Sequence, residues 1–422
     1  MVDYMHSNRR KEPSINSWRN FRDYLIILLL LALFSVASFS QLTQKLPYEK
    51  TFILKMNVTY ENKDSREIWN LTESDRSLGL FFNNSWQRVY LVNVSSPIER
   101  LYHDPDGNIM ALLNFSTTII GPGEKISYNA TYKLVFEQRI LPAISEGKSG
   151  TLDDIPEDLK RVYCKPTGLW QSNDLTLKEK AMEIVGNETR VLVIVKKFVE
   201  WITNNIRYKP SEVPRYPNET ISIRMGDCDD QANLLITFCR AIGIPAYLQI
   251  GCIYMPHYDR NQTYWDGHLI IKQINIGWHG WALVYVPPWG WLPADLTYVE
   301  GNLRKEPLNA IRSSAVMKHY TFHYMNVTET DYISESRAAR KFLEAHEFYV
   351  YEKDYMMELT VEESTVNPIP IIIIYLTMLL SVLVIHHLAF QHFMPWMNAN
   401  NLYVKASLKN YLLRGANVNG EV

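Results

Sequence analysis

Two long apolar stretches stand out in the pattern of hydrophobic and polar positions, one near each end of the chain. Residues 24–44 carry no charged side chain, and a second apolar stretch covers residues 368–390. Because a helix of about 20 apolar residues crosses the hydrocarbon core of a bilayer, each stretch predicts a transmembrane helix. The first could instead be a signal peptide cleaved near Ser38-Phe39-Ser40, but its apolar core is long for one and favours a signal anchor.

Basic side chains lie on the terminal side of both stretches, whereas acidic side chains precede the second one. Short cytoplasmic segments are enriched in Lys and Arg. This distribution therefore predicts a cytoplasmic N-terminus over residues 1–23, a cytoplasmic tail over residues 391–422, and a large extracytoplasmic region between the two helices. The basic residues concerned are Arg9, Arg10, Lys11, Arg19, Arg22, Lys405, Lys409 and Arg414.

Asn-x-Ser/Thr motifs, the acceptors of N-linked glycans, occur only between the two apolar stretches. Their confinement to the region predicted to be exported supports the same topology and marks these sites as surface loops of a glycoprotein. The ten candidate glycosylation sites are Asn57, Asn70, Asn83, Asn93, Asn114, Asn129, Asn187, Asn218, Asn261 and Asn326.

Alternating apolar and polar positions recur in short runs in the first part of the exported region. Thr51–Tyr60 and Arg88–Val94 alternate, and Gly121–Glu124 predicts a turn into a further alternating run, Lys125–Glu137. Such runs predict strands, and strands at this spacing are typical of a β-sandwich. We therefore predict a β-sandwich domain over residues 45–145, with the role of a spacer or a binding module.

The pattern changes to helices followed by strands over residues 150–300, which indicates an α+β core in which helices pack on an antiparallel sheet. One helix carries an apolar face at helical spacing, formed by Val191, Val195, Phe198 and Ile202. Residues 301–365 read as a C-terminal extension of the exported region. The remaining predicted elements are a helix from 228 to 242, strands at 247–254, 278–286 and 291–296, a loop at 255–266 and a helix at 334–348.

The net charge and the cysteine content limit the classes of function and the kinds of site that the chain can have. The net charge is −2, with 43 basic and 45 acidic residues, so the chain lacks the basic excess that indicates nucleic-acid binding. The cysteines are Cys164, Cys228, Cys239 and Cys252, and they form neither a CxxC motif nor a Cys/His cluster with zinc spacing. We therefore expect no metal or other cofactor. If Cys228 is a nucleophile, the other three can form at most one disulfide.

Cys228 lies at the predicted start of a helix, directly after Asp227, which is placed to cap that helix. A thiol with an ordinary pKa of about 8.5 is mostly protonated at neutral pH, whereas a helix N-terminus favours the thiolate. The backbone N–H groups of the same helix end can bind an oxyanion. This element therefore offers both a nucleophile and an oxyanion site.

A base and an orienting carboxylate follow Cys228 along the chain. His279 lies at the start of a predicted strand, and Asp295 lies on the next strand, across the turn formed by Pro287–Gly290. A hairpin places the two side by side, with a register uncertain by a residue or two. A carboxylate can fix the tautomer and orientation of an imidazole. These residues predict a catalytic triad of Cys228, His279 and Asp295.

Other interpretations of neighbouring residues stay open. Asp295 could be a turn residue, and His257 and His268 are expected to be loop or surface histidines. Asp229 and Asp230 are expected to solvate or cap the helix start, with calcium binding as an alternative. Tryptophans near the histidine either pack the sheet or line a cleft. The candidates for cleft or supporting residues are Asp227, Trp281 and Trp291.

Four sequence blocks occur in a specific order, namely Gly226–Ala232, Arg240–Ala246, His279–Val286 and Gly290–Thr297. With these blocks the stretch 181–298 resembles the transglutaminase-like family within the papain-like superfamily of cysteine enzymes. The resemblance implies a papain-like core with Cys228 as nucleophile, His279 as base and Asp295 as the orienting acid. It also implies that no cofactor is required.

This resemblance implies an enzyme that forms an acyl-enzyme from a carboxamide or peptide bond and releases it to water or to an amine. Combined with the predicted topology, the expected substrates are cell-surface proteins, peptides or wall polymers, and no nucleic acid. Leu283, where the family often has an acidic residue, and the loop 255–266 depart from the family pattern and bear on substrate choice. The alternative is a non-catalytic cell-surface module that binds protein or glycan on the same fold.

Overall fold

The computed structural model describes residues 49–359, together with Thr377, Leu380, Ser381 and Val384, which are helical. The chain divides into two units, residues 1–359 and 360–422. Among the described residues, no helix combines the length and apolar character needed to cross a bilayer. The predicted membrane segments, 24–44 and all but four residues of 368–390, lie outside the described residues.

Strands dominate the described part of the first unit. The strands are β1 (Glu49–Asn62), β2 (Trp69–Asn70), β3 (Ser77–Gly79), β4 (Gln87–Val94), β5 (Ile98–His103), β6 (Ile109–Leu113), β7 (Ile119–Ile120), β8 (Lys125–Glu137), β9 (Arg207–Tyr208), β10 (Met225–Gly226), β11 (Ala246–Tyr264), β12 (Leu269–Val286), β13 (Gly290–Ala294), β14 (Thr321–Val327) and β15 (Phe348–Leu359). The α-helices are α1 (Glu157–Tyr163), α2 (Leu175–Val185), α3 (Val191–Asn205), α4 (Pro217–Ile223), α5 (Cys228–Ala241), α6 (Asn309–Arg312), α7 (Ala315–Lys318) and α8 (Tyr332–Ala345).

An eight-stranded sheet forms the framework, in the order β14-β11-β12-β15-β1-β8-β4, with β13 paired to β12. Its neighbouring strands are antiparallel except β12 and β15, which run parallel. A smaller sheet, β3-β6-β5, is built from the N-terminal strands alone. The mixed helix-and-sheet architecture agrees with the predicted α+β class.

The N-terminal strands do not form the separate β-sandwich that we predicted over residues 45–145. Instead β1, β4 and β8 belong to the same sheet as β11 and β12, because β15 pairs with β1 along one edge and with β12 along the other. Alternation along a strand shows which face is buried, but it does not show which strand lies beside it. The extension 301–365 therefore contributes the strand that joins the two parts of the sheet.

Helices cover one face of the sheet near β11 and β12. The predicted apolar face of α3 is buried at Val191, Val195, Phe198 and Ile202. Helix α5 packs beside α3, where Phe238 contacts Phe198 at a ring-centroid distance of 5.4 Å. Burying a large apolar side chain contributes about 1.5–3 kcal/mol, so this helix layer fixes the position of the α5 N-terminus relative to the sheet.

Within the segment predicted as a loop, 255–266, residues 255–264 continue β11 instead and form a long hairpin with β12, whereas Trp265–Gly267 form a short 3-10 helix between the two strands. The register shifts between Tyr254 and Asp259, which marks a bulge. His268, which we expected on the surface, is buried, and its Nδ1 lies 2.8 Å from the carbonyl oxygen of Phe348. The sequence did not indicate this strand, because polar side chains on both of its faces remove the alternation of apolar and polar positions.

Strand β12 is left with a gap along one edge. On that edge β15 pairs with Leu269–Ile274 and β13 pairs with Ala282–Val286. On this edge no strand within 49–359 pairs with the residues between them, and His279 lies in this interval. On the opposite edge, Gly251 of β11 pairs with His279. A Cβ at Gly251 would come within 2.1 Å of the Phe322 carbonyl oxygen, so glycine is needed for this close packing.

Candidate active site

Cys228 is the first residue of α5, and Asp227 occupies the N-cap position, as the sequence indicates. The backbone N–H of Asp227 donates to Oδ2 of Asp230 at 3.3 Å, and Oδ2 of Asp227 accepts from the backbone N–H of Ser211 at 3.2 Å. These bonds fix the turn that ends at the helix. They place the Cys228 thiol at the positive end of the helix dipole.

His279 and Asp295 meet in the gap beside β12, where Nε2 of His279 lies 2.9 Å from Oδ2 of Asp295. The hairpin register pairs Ala282 with Ala294. Asp295 is the next residue and therefore lies opposite Trp281 of β12. Its side chain is on the same face of the sheet as those of Trp281 and His279. Both side chains of the pair are buried. The structure thus brings together two of the residues that the sequence analysis placed across a turn.

Three backbone N–H groups donate hydrogen bonds to the carboxylate of Asp295. Its Oδ1 accepts from the backbone N–H groups of Thr297 and Tyr298, both at 3.0 Å, and its Oδ2 accepts from the backbone N–H of Ala315 at 3.2 Å. Burial alone would raise the pKa of Asp295, but the charge and hydrogen bond of His279 and the backbone N–H groups of Tyr298 and Thr297 lower it below its usual value. Asp295 is therefore a fixed carboxylate.

The same pair controls the protonation of His279. Burial disfavours the imidazolium, but the charge and hydrogen bond of Asp295, with smaller contributions from Cys228, raise the pKa of His279 to about 10. The thiol of Cys228 itself lies 4.0 Å from Oδ1 of Asp229. A carboxylate only accepts hydrogen bonds, so Nε2 carries a proton toward Asp295. Nδ1 is the ring nitrogen left for the thiol.

Three carboxyl groups surround the start of α5. The ligand oxygens of Asp227, Asp229 and Asp230 lie within 4.8 Å of one another, an oxygen set of the kind that suits a hard cation such as calcium. Burial and the neighbouring carboxylates raise the pKa of Asp227 to about 9. Burial and the neighbouring Asp229 also raise the pKa of Asp230 to about 6. This occurs although Nη1 of Arg215 lies 2.9 Å from Oδ2 of Asp230.

The two tryptophans singled out from the sequence have different surroundings. Trp281 is fully buried, its ring lies 6.0 Å from that of His279, and its Nε1 donates to Oε1 of Gln249 at 3.0 Å. Trp281 therefore supports the strand behind the histidine. Trp291 packs against Tyr163 and Tyr247, each at a ring-centroid distance of 5.0 Å.

Two residues beside the pair, Tyr298 and Ala315, are not among the candidates drawn from the sequence. Tyr298 lies with its ring 5.9 Å from that of His279, and Ala315 supplies a backbone N–H to Asp295. The position of Tyr298, three residues after Asp295, was a usable signal because a tight turn returns such a residue to the carboxylate. Nothing in the sequence marks Ala315, since only its main chain takes part.

The other three cysteines lie outside the candidate site. All four thiols are free, so the single disulfide that the sequence allowed is not formed. Burial raises the pKa of Cys164 to about 11 and raises the pKa values of Cys239 and Cys252 above the usual range. These thiols stay protonated at neutral pH, and Cys239 and Cys252 are buried in the core.

Comparison with known proteins identifies the region around this site. Residues 178–296 match the family model of the Transglutaminase-like superfamily, so the chain contains a transglutaminase-like domain that includes Cys228, His279 and Asp295. No curated protein is significantly similar to the chain.

Solved structures show weaker likenesses. A candidate cysteine protease from Cytophaga hutchinsonii is 18% identical, with a TM-score of 0.46, over 76% of this chain and 95% of that protein. Legionella pneumophila LapG is 14% identical, with a TM-score of 0.26, over 44% and 96%. Red sea bream transglutaminase is 10% identical, with a TM-score of 0.24, over 60% and 48%. At these identities and TM-scores the likenesses carry no conclusion about function.

Replacing Asp295 tests the electrostatic role of the pair. In Asp295→Asn the pKa of His279 should fall from about 10 toward or below the ordinary histidine value of about 6.5, because the neighbouring negative charge is lost. NMR titration of ¹³C-labelled histidines measures this shift. The exposed Asp153→Asn variant is the matched control and should leave His279 unchanged, and an unshifted His279 in Asp295→Asn would contradict this account.

The same pair makes stability depend on pH. Because the pKa of His279 is raised on folding, its stabilising contribution is complete below about 6.5 and is lost as the pH rises through about 10. The wild-type protein should therefore lose unfolding free energy across this interval more steeply than Asp295→Asn does. Urea unfolding at several pH values supplies that comparison.

Proposed function

We propose that this chain, with its transglutaminase-like domain at residues 178–296, is a cysteine enzyme that acts on carboxamide or peptide bonds. Cys228 is the nucleophile, His279 transfers protons, and Asp295 orients and charges the imidazole. The observation that carries the proposal is the buried bond between His279 and Asp295 in the sheet gap. It is supported by Cys228 at the N-terminus of α5 and by its contribution to the pKa of His279.

The first half of the reaction uses the proton held by His279. The Cys228 thiolate attacks the carbonyl carbon, and the carbonyl oxygen gains the negative charge beside the first turn of α5, where backbone N–H groups stabilise it. The C–N bond then breaks, and the Nδ1 proton of His279 passes to the departing nitrogen. Ammonia or an amine leaves, and the acyl group remains on Cys228 as a thioester.

The second half reverses the role of His279. A water molecule or an amine attacks the thioester carbon, and Nδ1 of His279 accepts the proton that the attacking group loses. The C–S bond breaks and the thiolate of Cys228 returns. Water as acceptor gives hydrolysis, whereas an amine such as a lysine side chain gives an acyl transfer. The residues described here serve either acceptor and need no cofactor.

We further propose that this domain lies outside the cytoplasm between two membrane helices and acts on cell-surface proteins, peptides or wall polymers. The exposure of the glycan acceptors supports an exported domain, because eight of the ten asparagines are exposed. The other two, Asn129 and Asn326, are half-buried. Oδ1 of Asn326 also lies 2.9 Å from Nε2 of His323 and 3.1 Å from Nε2 of Gln249.

Turnover by the full-length chain tests the catalytic proposal. The chain in detergent is incubated with a cell-surface protein extract, and ammonia release, incorporation of a labelled amine and new peptide termini are followed by mass spectrometry. The wild type should change the extract, and Cys228→Ala should be inactive because the nucleophile is lost. Cys164→Ala is the matched control and should remain active, since burial raises the pKa of that thiol to about 11.

The product separates the two acceptors. New termini or ammonia without amine incorporation indicate hydrolysis, and incorporated amine indicates acyl transfer. If the wild type and Cys228→Ala leave the extract equally unchanged, catalysis is contradicted. In that case the fold would serve as a cell-surface module that binds protein or glycan.

Glycan mapping tests the proposed location. In a eukaryotic secretory host, peptide-N-glycosidase treatment in ¹⁸O water should mark several of the eight exposed asparagines, because their side chains are accessible. Asn326 should stay unmarked, because its amide packs against His323 and Gln249. Marking at Asn326 would contradict the folded arrangement, and a fully unglycosylated chain would contradict an exported domain.

A further inference from the structure

A cavity of about 350 Å³, whose lining does not include Cys228, lies where β4 begins and β8 ends. It is bounded by residues just before β4 and just after β8, which the strand pairing holds together: the backbone N–H of Glu137 donates to the carbonyl oxygen of Trp86 at 2.9 Å. The volume is at the lower end of the range of small-molecule sites, about 300–1,000 Å³. Its lining residues are Ser85, Trp86, Gln138, Arg139 and Ile140.

Arg139 is the charged group of this cavity, and no hydrogen bond or ion pair of its guanidinium is found among the described residues. Its Nη1 is shielded from solvent and makes no hydrogen bond. Within residues 49–359 no carboxylate forms an ion pair with it. A guanidinium presents five donors, and a buried charge is normally paired or hydrogen-bonded. The residue as a whole is half-buried, and its shielded Nη1 is the donor that lacks an acceptor.

The neighbouring ionisable groups do not neutralise this charge. Burial lowers the pKa of Arg139 to about 10, and the nearby Tyr247 opposes this only in part. Burial also raises the pKa of Tyr247 above its usual range, so its phenol is neutral. Burial lowers the pKa of His323 to about 4, and the charge of Arg139 acts in the same direction. The hydrogen bond to Asn326 offsets only part of this shift. At neutral pH Arg139 is therefore charged among neutral neighbours.

The position of the guanidinium is fixed by an aromatic ring. It lies over the indole of Trp86 at 5.1 Å, within the range of a cation–π contact. Trp86 is itself buried and packs with Trp281 and Val316. The ring that holds Arg139 is thus part of the core, so the donors of Arg139 are presented in a defined place.

We propose that this cavity is a carboxylate-binding site in which the guanidinium of Arg139 is the recognition group. A planar guanidinium matches a carboxylate with two parallel hydrogen bonds. A single cation among neutral neighbours suits a single negative charge better than a phosphate dianion. The exposed side chain of Ile140 borders the cavity and gives the ligand an apolar contact. The proposal does not depend on catalysis at Cys228.

Two sources could supply this carboxylate: a small free acid, or the C-terminal carboxylate of a peptide. Calorimetric titration of the full-length chain in detergent distinguishes them with three probes. These are acetate, N-acetyl-alanyl-alanine with a free carboxylate, and the same dipeptide as its amide. The free-acid dipeptide should bind at least about tenfold more tightly than the amide, because charge-assisted hydrogen bonds are lost in the amide.

The variants assign this preference to one side chain. Arg139→Gln should remove the preference for acid over amide, and Arg139→Lys should retain only part of it because it keeps the charge but not the planar fork. Arg66→Gln, which alters an exposed arginine, is the matched control. Cys228→Ala should bind the acid as the wild type does, which separates this site from the proposed catalysis.

Either of two results would overturn the proposal: equal binding of acid and amide by the wild type, or a preference for the acid that survives in Arg139→Gln. If Arg139→Gln does not fold, the wild-type comparison and Arg139→Lys still decide. Acetate that competes with the dipeptide identifies a site for small free acids. Binding of the dipeptide without competition by acetate identifies a site for peptide termini.

Discussion

The buried bond between His279 and Asp295 is the interaction on which the rest of this site depends. Taking two charged groups out of water is costly, and the cost is offset only where both are well paired and hydrogen-bonded. Asp295 meets that requirement through the backbone N–H groups of Thr297, Tyr298 and Ala315. The imidazole can therefore hold a proton at neutral pH in a position where an unpaired histidine would lose it.

The fold provides the place for this pair by interrupting a sheet. Strand β12 changes partners along one edge, from β15 to β13, and leaves the interval around His279 open. The helix layer carries Cys228 at the N-terminus of α5, and α5 packs on β11 and β12, the strand of His279. The N-terminal strands extend the same sheet through β15, so they belong to the body that carries the site.

Local patterns predicted the parts of this site that depend on neighbours in the sequence. The cysteine after a helix cap, and the histidine and aspartate on either side of a short turn, follow from element starts and from the two-residue period of strands. The pairing of β1 with β15 depends on contacts between distant segments, which alternation does not encode. The cavity beside Arg139 escaped notice for the same reason, because β4 and β8 create it only when they pair. The two membrane helices remain predictions.

Cysteine-resolved alkylation tests the central claim most directly. The full-length chain is treated with a limiting amount of iodoacetamide at neutral pH, and the modified fraction of each cysteine is measured by mass spectrometry. An imidazolium beside the thiol and a helix N-terminus both favour the reactive thiolate, so Cys228 should be modified well before Cys164, whose pKa burial raises to about 11. His279→Ala should remove this advantage. A Cys228 that reacts no faster than Cys164 would contradict a functional thiol–imidazole pair.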